Sequence, residues 1–382
     1  FWTYNWGWAP KEERLELINN MPTDVSLLVT YEMFEPYKLE NITEYCSDYT
    51  IAFEGPGQYY LSEAEAAKKR GIRLYSMTNT AGMTWDMGVI PYVPVPYQWI
   101  KRYNGILNSH KNHGLCGIME GHHYGYYPSF IGELSNLALS DTGLTIEEIL
   151  EHILSKYYGK ENVSKVDEAL KCWSEAITHF TPSNEDQYGP FRIGPSYPLC
   201  LRRVVNVPCE DYALFGNTIV FPNYPQYPSN DQPQNTVGTL RIPVEIRSLE
   251  KAKKSMEEGI EILETIKNKN DELLRLINLG KFISCMVSTG INVKKWSIDK
   301  TKLLIEQDKE EIERLFKSLR KIAEDELKNA KAALPLVESD SRLGWEPSME
   351  YIGHKENIEW KIRQVQYVLD TEMPKYKDSF NK

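Results

Sequence analysis

The first 140 residues repeat one unit five times: a short apolar or β-branched run that ends in polar groups, then a charged amphipathic stretch. The alternation predicts parallel strands joined by crossover helices. A capping box of Ser62 and Glu65 and a C-cap at Gly71 delimit the second helix. The predicted strands are residues 1–6, 26–32, 49–54, 72–79 and 115–120, and the predicted helices are residues 11–20, 62–70, 97–109 and 130–139.

A closed (β/α)8 barrel needs eight such units, and five fit its later part. We therefore expect the fold class α/β plus all-α, with a partial (β/α)8 (TIM) barrel in residues 1–143. The N-terminal half of that barrel is then missing from this chain or supplied by another chain or segment. An open parallel sheet that is complete in itself is the alternative.

The rest of the chain divides by composition. Residues 144–246 hold a helical segment and then a stretch dense in Pro, Gly, Tyr and Asn, which we expect to be an ordered insertion that covers something. Residues 247–382 shift to Lys, Glu, Leu and Ile with apolar residues at helical spacing. That pattern predicts a C-terminal helical bundle.

Charge and cysteine content exclude several classes of function. The chain has 44 Lys and Arg against 54 Asp and Glu, a net charge of −10, which disfavours nucleic acid as a partner. We find no run of about 18 apolar residues, so we expect a soluble, cytoplasmic protein without a membrane partner, a secreted form not being excluded. The 6 cysteines lack metal-type spacing and are expected to be reduced, buried thiols. No cofactor is expected.

Polar side chains follow the predicted strands. In parallel α/β folds the carboxyl ends of the strands carry the reacting groups. The candidate catalytic residues are Glu120, Glu54 and Glu32. The candidate substrate-binding residues are Asn5, Trp6, Asn79, Trp85, Asp86, His122, His123 and Tyr124.

Carboxylates beside aromatic rings suit the cleavage of a glycosidic bond, in which one protonates the leaving oxygen and the other attacks or activates water. Glu120 is the first choice for the acid or base, with Glu54 and Glu32 as competing partners. Burial would raise the pKa of one carboxyl group and separate the two roles. Retention and inversion both stay open. Neighbouring His122 and His123 point opposite ways in an extended chain, which disfavours a metal there.

Three segments, TYNWGW (3–8), TNTAGMTWD (78–86) and MEGHHYGYYPSF (119–130), resemble the later half of a (β/α)8 glycoside hydrolase. The tail NAKAALPLVESDSRLGWEPSMEY (329–351) is similar to the C-terminal helical domains of α-glucuronidase-like and hexosaminidase-like barrels. The resemblance implies a carbohydrate substrate. In hexosaminidase-like barrels the acidic pair lies at the end of the fourth strand. Residues 1–6, which would be the fourth strand here, end without an acid, and this is a departure from the resemblance.

Two other functions stay open at this point: a non-catalytic glycan-binding protein, and a scaffold subunit whose barrel another polypeptide completes. The tail also has two interpretations. It folds back to bring Arg342 or Trp345 to the site, or it is a helix terminus and turn that packs the bundle on the barrel.

Overall fold

The computed structural model describes residues 1–4, 14–33, 35–46, 49–121, 127–201, 224, 238–346 and 351–380. The strands are β1 Leu27–Thr30, β2 Pro36–Leu39, β3 Ile42–Tyr45, β4 Leu74–Met77 and β5 Leu115–Met119. The helices of the first half are α1 Leu15–Asn20, α2 Gln58–Arg70, α3 Pro96–His113, α4 Phe130–Ala138, α5 Ile146–Tyr158 and α6 Val163–Thr178. The remaining helices are α7 Asn184–Gln187, α8 Pro190–Ile193, α9 Gly238–Glu264, α10 Asp271–Leu303, α11 Lys309–Ser339, α12 Lys355–Tyr367 and α13 Met373–Ser379.

The central sheet is parallel, in the order β1-β4-β5, which confirms the strand–helix alternation for these three strands. Trp2 forms a parallel bridge with Leu28 and so lies beside β1. Within the described residues, the predicted first strand is only this bridge. The chain is therefore a mixed protein and mostly helical. Among the described residues, β1, β4 and β5 form a small open parallel sheet, and β2 and β3 form a separate antiparallel pair.

The predicted strand at residues 49–54 is wrong. These residues form an irregular loop, and Tyr49 has a φ of 63°. The physical reason is a set of hydrogen bonds from α3. The Arg102 guanidinium donates to the backbone carbonyl groups of Thr50, Phe53 and Glu54. Carbonyl groups bound in this way cannot form a strand ladder.

The predicted start of α2 is also wrong. The helix begins at Gln58 rather than Ser62, and the Ser62 hydroxyl donates to the carbonyl of Tyr59 within it. The first turn is capped from outside, because the Gln58 N–H donates to the Glu35 carboxylate at 2.8 Å. The predicted end is confirmed: Gly71 lies in the left-handed region with a φ of 68°.

The two faces of the sheet bury different side chains. Leu27, Val29 and Leu74 pack in one cluster with Ala64 and Ala67 of α2. The opposite face contacts an aromatic cluster that contains Tyr49, Trp85 and Tyr188. The α2 and α3 side of the sheet is therefore an aliphatic core, and the other side is aromatic.

The helices after α4 share one continuous core. It extends from Ile51 to Met373, and α6, α9, α10 and α11 pack side by side. The boundary expected after residue 246 falls inside α9, whose helix also contains Pro243. The predicted bundle is present, and α5 and α6 pack with it. The division into three domains stays a prediction.

Helix α10 is long and apolar enough to cross a membrane by length and composition, with a mean hydropathy of 1.3 in its most apolar window. Within the fold, 72% of that window is buried against other parts of the protein. Helix α10 packs against both α9 and α11.

The cysteine prediction is correct in part. Cys46, Cys116, Cys172, Cys200 and Cys285 are in the thiol form. Cys46 and Cys200 are buried as expected, whereas Cys172 and Cys285 are half-buried and Cys116 is exposed on the short edge strand β5. Cys209 lies outside the described residues, as does most of the Pro- and Tyr-rich stretch. Among the described residues, no group of three or more His, Cys, Asp or Glu side chains has the arrangement of a metal site.

Candidate active site

The carboxyl ends of the three parallel strands lie at one edge of the sheet. Thr30 of β1 is paired with Met77 of β4, so Glu32 and Asn79 follow at matching positions two residues later. Pairing continues past the strands, since the Ala81 N–H donates to the carbonyl of Glu120, which follows β5. The structure therefore brings Glu32, Asn79 and Glu120 to one edge.

Glu32 is the most unusual group at this edge. It has no exposed surface, and neither carboxylate oxygen accepts a hydrogen bond of ordinary geometry from the residues that the structure describes. Burial raises the pKa of Glu32 to about 7, against the opposing effect of the nearby Arg102 charge. The carboxyl group is therefore divided between its protonated and ionised forms at neutral pH.

Asp86 is the second buried carboxyl group of the site. Its Oδ2 accepts hydrogen bonds from the Ile51 N–H at 2.6 Å and from the Thr84 hydroxyl at 3.0 Å. Burial raises the pKa of Asp86 to about 6, and these hydrogen bonds oppose the rise. Its charge also acts on Glu32, where it raises the pKa. Burial thus raises the pKa of both carboxyl groups, and that of Glu32 to the higher value.

Asn79 adds an unpaired amide to the same edge. It is fully buried, and among the described residues neither its Nδ2 nor its Oδ1 has a hydrogen-bond partner. Its φ of 47° places it in the left-handed region, which asparagine enters more readily than most residues. Buried unpaired amides cost free energy and backbone strain concentrates at functional sites, so Asn79 is a strong candidate ligand-binding residue.

Trp85 lies at the centre of an aromatic cluster beside Asp86. Its ring centroid is 4.4 Å from that of Tyr49 and 5.6 Å from that of Tyr188, which meets it edge-on. The guanidinium of Arg192 lies 4.3 Å from the Trp85 ring centroid. Tyr49, Tyr188 and Arg192 cover the Trp85 ring, and together they form one wall of the site. The stacking of a sugar on Trp85 stays a prediction.

Arg192 reaches this wall from α8 and is 1% exposed. Its guanidinium forms an ion pair with Glu346 at 3.6 Å, but its Nε and Nη1 have no acceptor in the part of the chain that the structure describes. Gly88 allows the close approach, because a Cβ there would lie 2.8 Å from the Arg192 carbonyl oxygen. Two donor nitrogens of a buried cation without a described acceptor are well suited to a polar ligand.

Arg102 organises the floor of the site from α3. Its Nη1 lies 4.0 Å from Glu32, and the side chain is fully buried. The guanidinium donates to the backbone carbonyl groups of Thr50, Phe53, Glu54 and Thr78. It thereby ties the loop of residues 49–54 to the end of β4.

Glu54 and Glu120 are less enclosed than Glu32. The Glu54 carboxylate accepts from the Gln98 amide at 3.1 Å, and Glu120 accepts from the Ser135 hydroxyl at 3.3 Å. Both side chains are half-buried. Glu54 belongs to the loop of residues 49–54, which Arg102 binds, and it does not lie at a strand end. The predicted residues Asn5, Trp6, His122, His123 and Tyr124 lie outside the described residues.

Comparisons with known proteins give one coarse likeness. No family model matches the chain, and no curated protein matches it. A solved structure described as a GH138 enzyme targeting pectin rhamnogalacturonan II matches with 14% sequence identity and a TM-score of 0.45. The match covers 96% of this chain and 53% of that one, so this chain spans about half its length. At that TM-score the likeness to a glycoside hydrolase fold identifies neither a family nor a barrel.

Sequence reasoning missed four contributors to the site: Arg102, Arg192, Tyr49 and Tyr188. Arg102 lies mid-helix with Trp99 three residues before it and Ile106 four residues after it, and this apolar face was a usable signal of its burial. Arg192 and Tyr188 lie in the stretch expected to be an ordered insertion, where the run of Gly, Pro and aromatic residues was a usable signal. The tail reaches the site wall through Glu346, next to Trp345.

Proposed function

We propose that this protein hydrolyses glycosidic bonds in a carbohydrate substrate, with Glu32 as the proton donor and Asp86 as the ionised carboxylate. The supporting observation is the buried carboxyl group of Glu32 at the end of β1, beside a second buried carboxyl group with a lower pKa. Glycoside cleavage needs one protonated and one ionised carboxyl group at the same time. A pair with pKa values of about 7 and about 6 meets that condition near neutral pH.

The polar groups around the pair suit the hydroxyl groups of a sugar. The Asn79 amide supplies one donor group and one acceptor, and the Arg192 guanidinium supplies two donor nitrogens. A sugar hydroxyl both donates and accepts, so it can satisfy both kinds of group. We assign the role of proton donor to Glu32 and not to Glu120, the residue that the sequence favours, because Glu120 is less enclosed.

A non-catalytic glycan-binding protein is the second candidate. The observation that favours it is the complete burial of Glu32 and Asp86. A carboxyl group without exposed surface meets a glycosidic oxygen only after a movement that opens the site. A binding protein needs no such contact.

Turnover separates the two candidates. The 382-residue chain is assayed against a panel of aryl glycosides and oligosaccharides, together with the variants Glu32→Gln and Glu120→Gln. Glu65→Gln, an exposed residue of α2 that pairs with Lys69, is the matched control. We expect hydrolysis that Glu32→Gln lowers by about 10²–10⁴-fold and that the control leaves unchanged. Sugar binding without turnover contradicts hydrolysis and favours the second candidate.

A further inference from the structure

Arg102 of α3 holds two separate segments of the site by their backbone. The side chain has no exposed surface. Its three guanidinium nitrogens donate, over 2.6–3.1 Å, to the backbone carbonyl groups of Thr50, Phe53, Glu54 and Thr78. Three of these acceptors lie in the loop of residues 49–54, and the fourth directly follows β4. A guanidinium presents its donors in a fixed planar fork, which the single ammonium group of a lysine cannot reproduce.

One peptide group connects Arg102 to Asp86. Its carbonyl oxygen belongs to Thr50 and accepts from Nη2 of Arg102 at 2.6 Å. Its N–H belongs to Ile51 and donates to Oδ2 of Asp86 at 2.6 Å. Because a peptide group is planar, the first hydrogen bond fixes the direction of the second. Arg102 therefore orients the Asp86 carboxylate through the backbone.

A second peptide group connects Arg102 to Asn79. Its carbonyl oxygen belongs to Thr78 and accepts from Nη1 of Arg102 at 3.1 Å. Its nitrogen belongs to Asn79, whose φ of 47° lies in the left-handed region. A residue with a side chain enters that region at a cost, so the surrounding structure must hold it there. The hydrogen bond from Arg102 is one of the contacts that do so.

Arg102 acts on Glu32 by charge and not by a hydrogen bond. Nη1 of Arg102 lies 4.0 Å from Oε1 of Glu32, which is beyond hydrogen-bond length. The guanidinium attracts the carboxylate without tying its oxygen atoms. Because a guanidinium has donors and no acceptor, a proton on Glu32 is not shared with it.

The titratable groups that face Arg102 come from several segments. Burial raises the pKa of Glu32, and the charge of Arg102 opposes the rise while that of Asp86 adds to it. Burial also raises the pKa of Asp86, and Arg102 again opposes the rise. Tyr31 after β1 and Tyr103 of α3 are close as well, and burial raises the pKa of both phenols, so they stay neutral where the carboxyl groups titrate. Loss of the guanidinium therefore moves the titration of both carboxyl groups to higher pH.

We propose that Arg102 is the positioning residue of the site, which orients Asp86 and Asn79 through two peptide groups and sets the charge that Glu32 faces. The proposal deepens the proposed function and rests on it for the reaction that the two carboxyl groups perform. A merely structural role, in which Arg102 only anchors the loop of residues 49–54, predicts variants that lose stability equally at every pH and keep the pH profile of turnover.

Two variants of the full chain separate the charge of Arg102 from its fork of donors. Arg102→Gln removes the charge, and we expect the alkaline limb of kcat/KM to move up by about one pH unit. Arg102→Lys keeps the charge, and we expect an alkaline limb near that of the wild type with kcat/KM about 10–100-fold lower, because the peptide groups are no longer held. Arg70→Gln is the matched control, since Arg70 of α2 also donates to a backbone carbonyl, that of Met21, and its loss leaves the profile unchanged.

A double-mutant cycle tests the same pair without turnover. Arg102→Gln, Glu32→Gln and the double variant are unfolded in urea at pH 5 and pH 8. We expect Arg102→Gln to lower the denaturation midpoint more at pH 8, where Glu32 is ionised, and we expect this excess to shrink in the Glu32→Gln background. The double variant leaves no carboxylate of Glu32 without its cation, so it gives a folded reference if Arg102→Gln unfolds at pH 8.

The two experiments separate the failure of Arg102 from the failure of hydrolysis. Coupling at pH 8 in a chain without turnover supports the role of Arg102 beside Glu32 and contradicts the proposed function alone. Turnover whose alkaline limb is the same in the wild type and Arg102→Gln overturns the proposal, and so does a coupling that is equal at pH 5 and pH 8. Variants that are all unfolded at both pH values show an anchor of the fold only, and they overturn it as well.

Discussion

The Nη1 of Arg102 lies 4.0 Å from Oε1 of Glu32, and both side chains are completely buried. Arg102 already donates to four backbone carbonyl groups, so its position does not depend on Glu32. Its charge lowers the pKa of Glu32, but desolvation raises that pKa by more. The arginine therefore keeps the carboxyl group from becoming permanently neutral, and it leaves the group able to exchange a proton near pH 7.

Activity should follow a narrow bell-shaped dependence on pH. The alkaline limb arises because Glu32 must be protonated, and its pKa is raised to about 7. The acid limb arises because Asp86 must be ionised, and its pKa is raised to about 6. We expect the maximum of kcat/KM between these values. A flat profile from pH 5 to pH 8 would show that these two groups do not control turnover.

Stability should fall as the pH rises, and Glu32 should account for part of the fall. Its folded pKa, about 7, exceeds the ordinary value of 4.5, so the folded state holds a proton that the unfolded state releases between these values. The free energy of unfolding then decreases by about 1.4 kcal/mol per pH unit in that window, about 3 kcal/mol in all. Below pH 4.5 both the folded and the unfolded state hold this proton, so the stability that is lost at higher pH is fully present.

The variant Glu32→Gln removes the titrating group and should flatten this dependence. We expect the variant to gain stability relative to the wild type between pH 5 and pH 8, measured by urea denaturation at each pH. The comparison with Glu65→Gln, an exposed glutamate, controls for the change of residue type. A difference between wild type and Glu32→Gln that stays constant with pH would mean that the Glu32 carboxyl group is not desolvated.

Lys294 should be much more important for stability than its neighbour Lys295. The Lys294 ammonium is fully buried between Asp186 at 2.9 Å and Glu245 at 2.8 Å. Lys294→Met leaves the buried Asp186 carboxylate without this cation and leaves Glu245 with Arg241 alone, at an expected cost of about 3–5 kcal/mol. Lys295→Met breaks only an exposed pair with Glu250, for about 1 kcal/mol or less. Equal denaturation midpoints for the two variants would contradict this difference.

The parallel sheet could be predicted because it depends on local signals. Three predicted strands, those at residues 26–32, 72–79 and 115–120, contain β1, β4 and β5, and Gly71 ends α2 as expected. The β2–β3 hairpin was missed because its turn carries Glu40 at a φ of 51°, where a glycine would have been the recognisable residue.

The errors have a common cause, which is long-range hydrogen bonding. The loop of residues 49–54 looks like a strand until Arg102, some 50 residues later in the chain, takes its carbonyl groups. The first turn of α2 is capped by Glu35 from a different element. Glu32 and Glu120 follow β1 and β5 as expected, yet the burial that distinguishes Glu32 from Glu120 is a tertiary property that no local pattern encodes.

The most direct test of the central claim, that Glu32 donates the proton, is the dependence of turnover on the leaving group. An alkyl glycoside needs protonation of the departing oxygen, whereas a dinitrophenyl glycoside of the same sugar departs without it. We predict that Glu32→Gln lowers kcat/KM by about 10²–10⁴-fold for the alkyl glycoside and by less than about tenfold for the dinitrophenyl glycoside. Equal losses for both substrates, or no loss for either, would contradict the assignment of Glu32 as the proton donor.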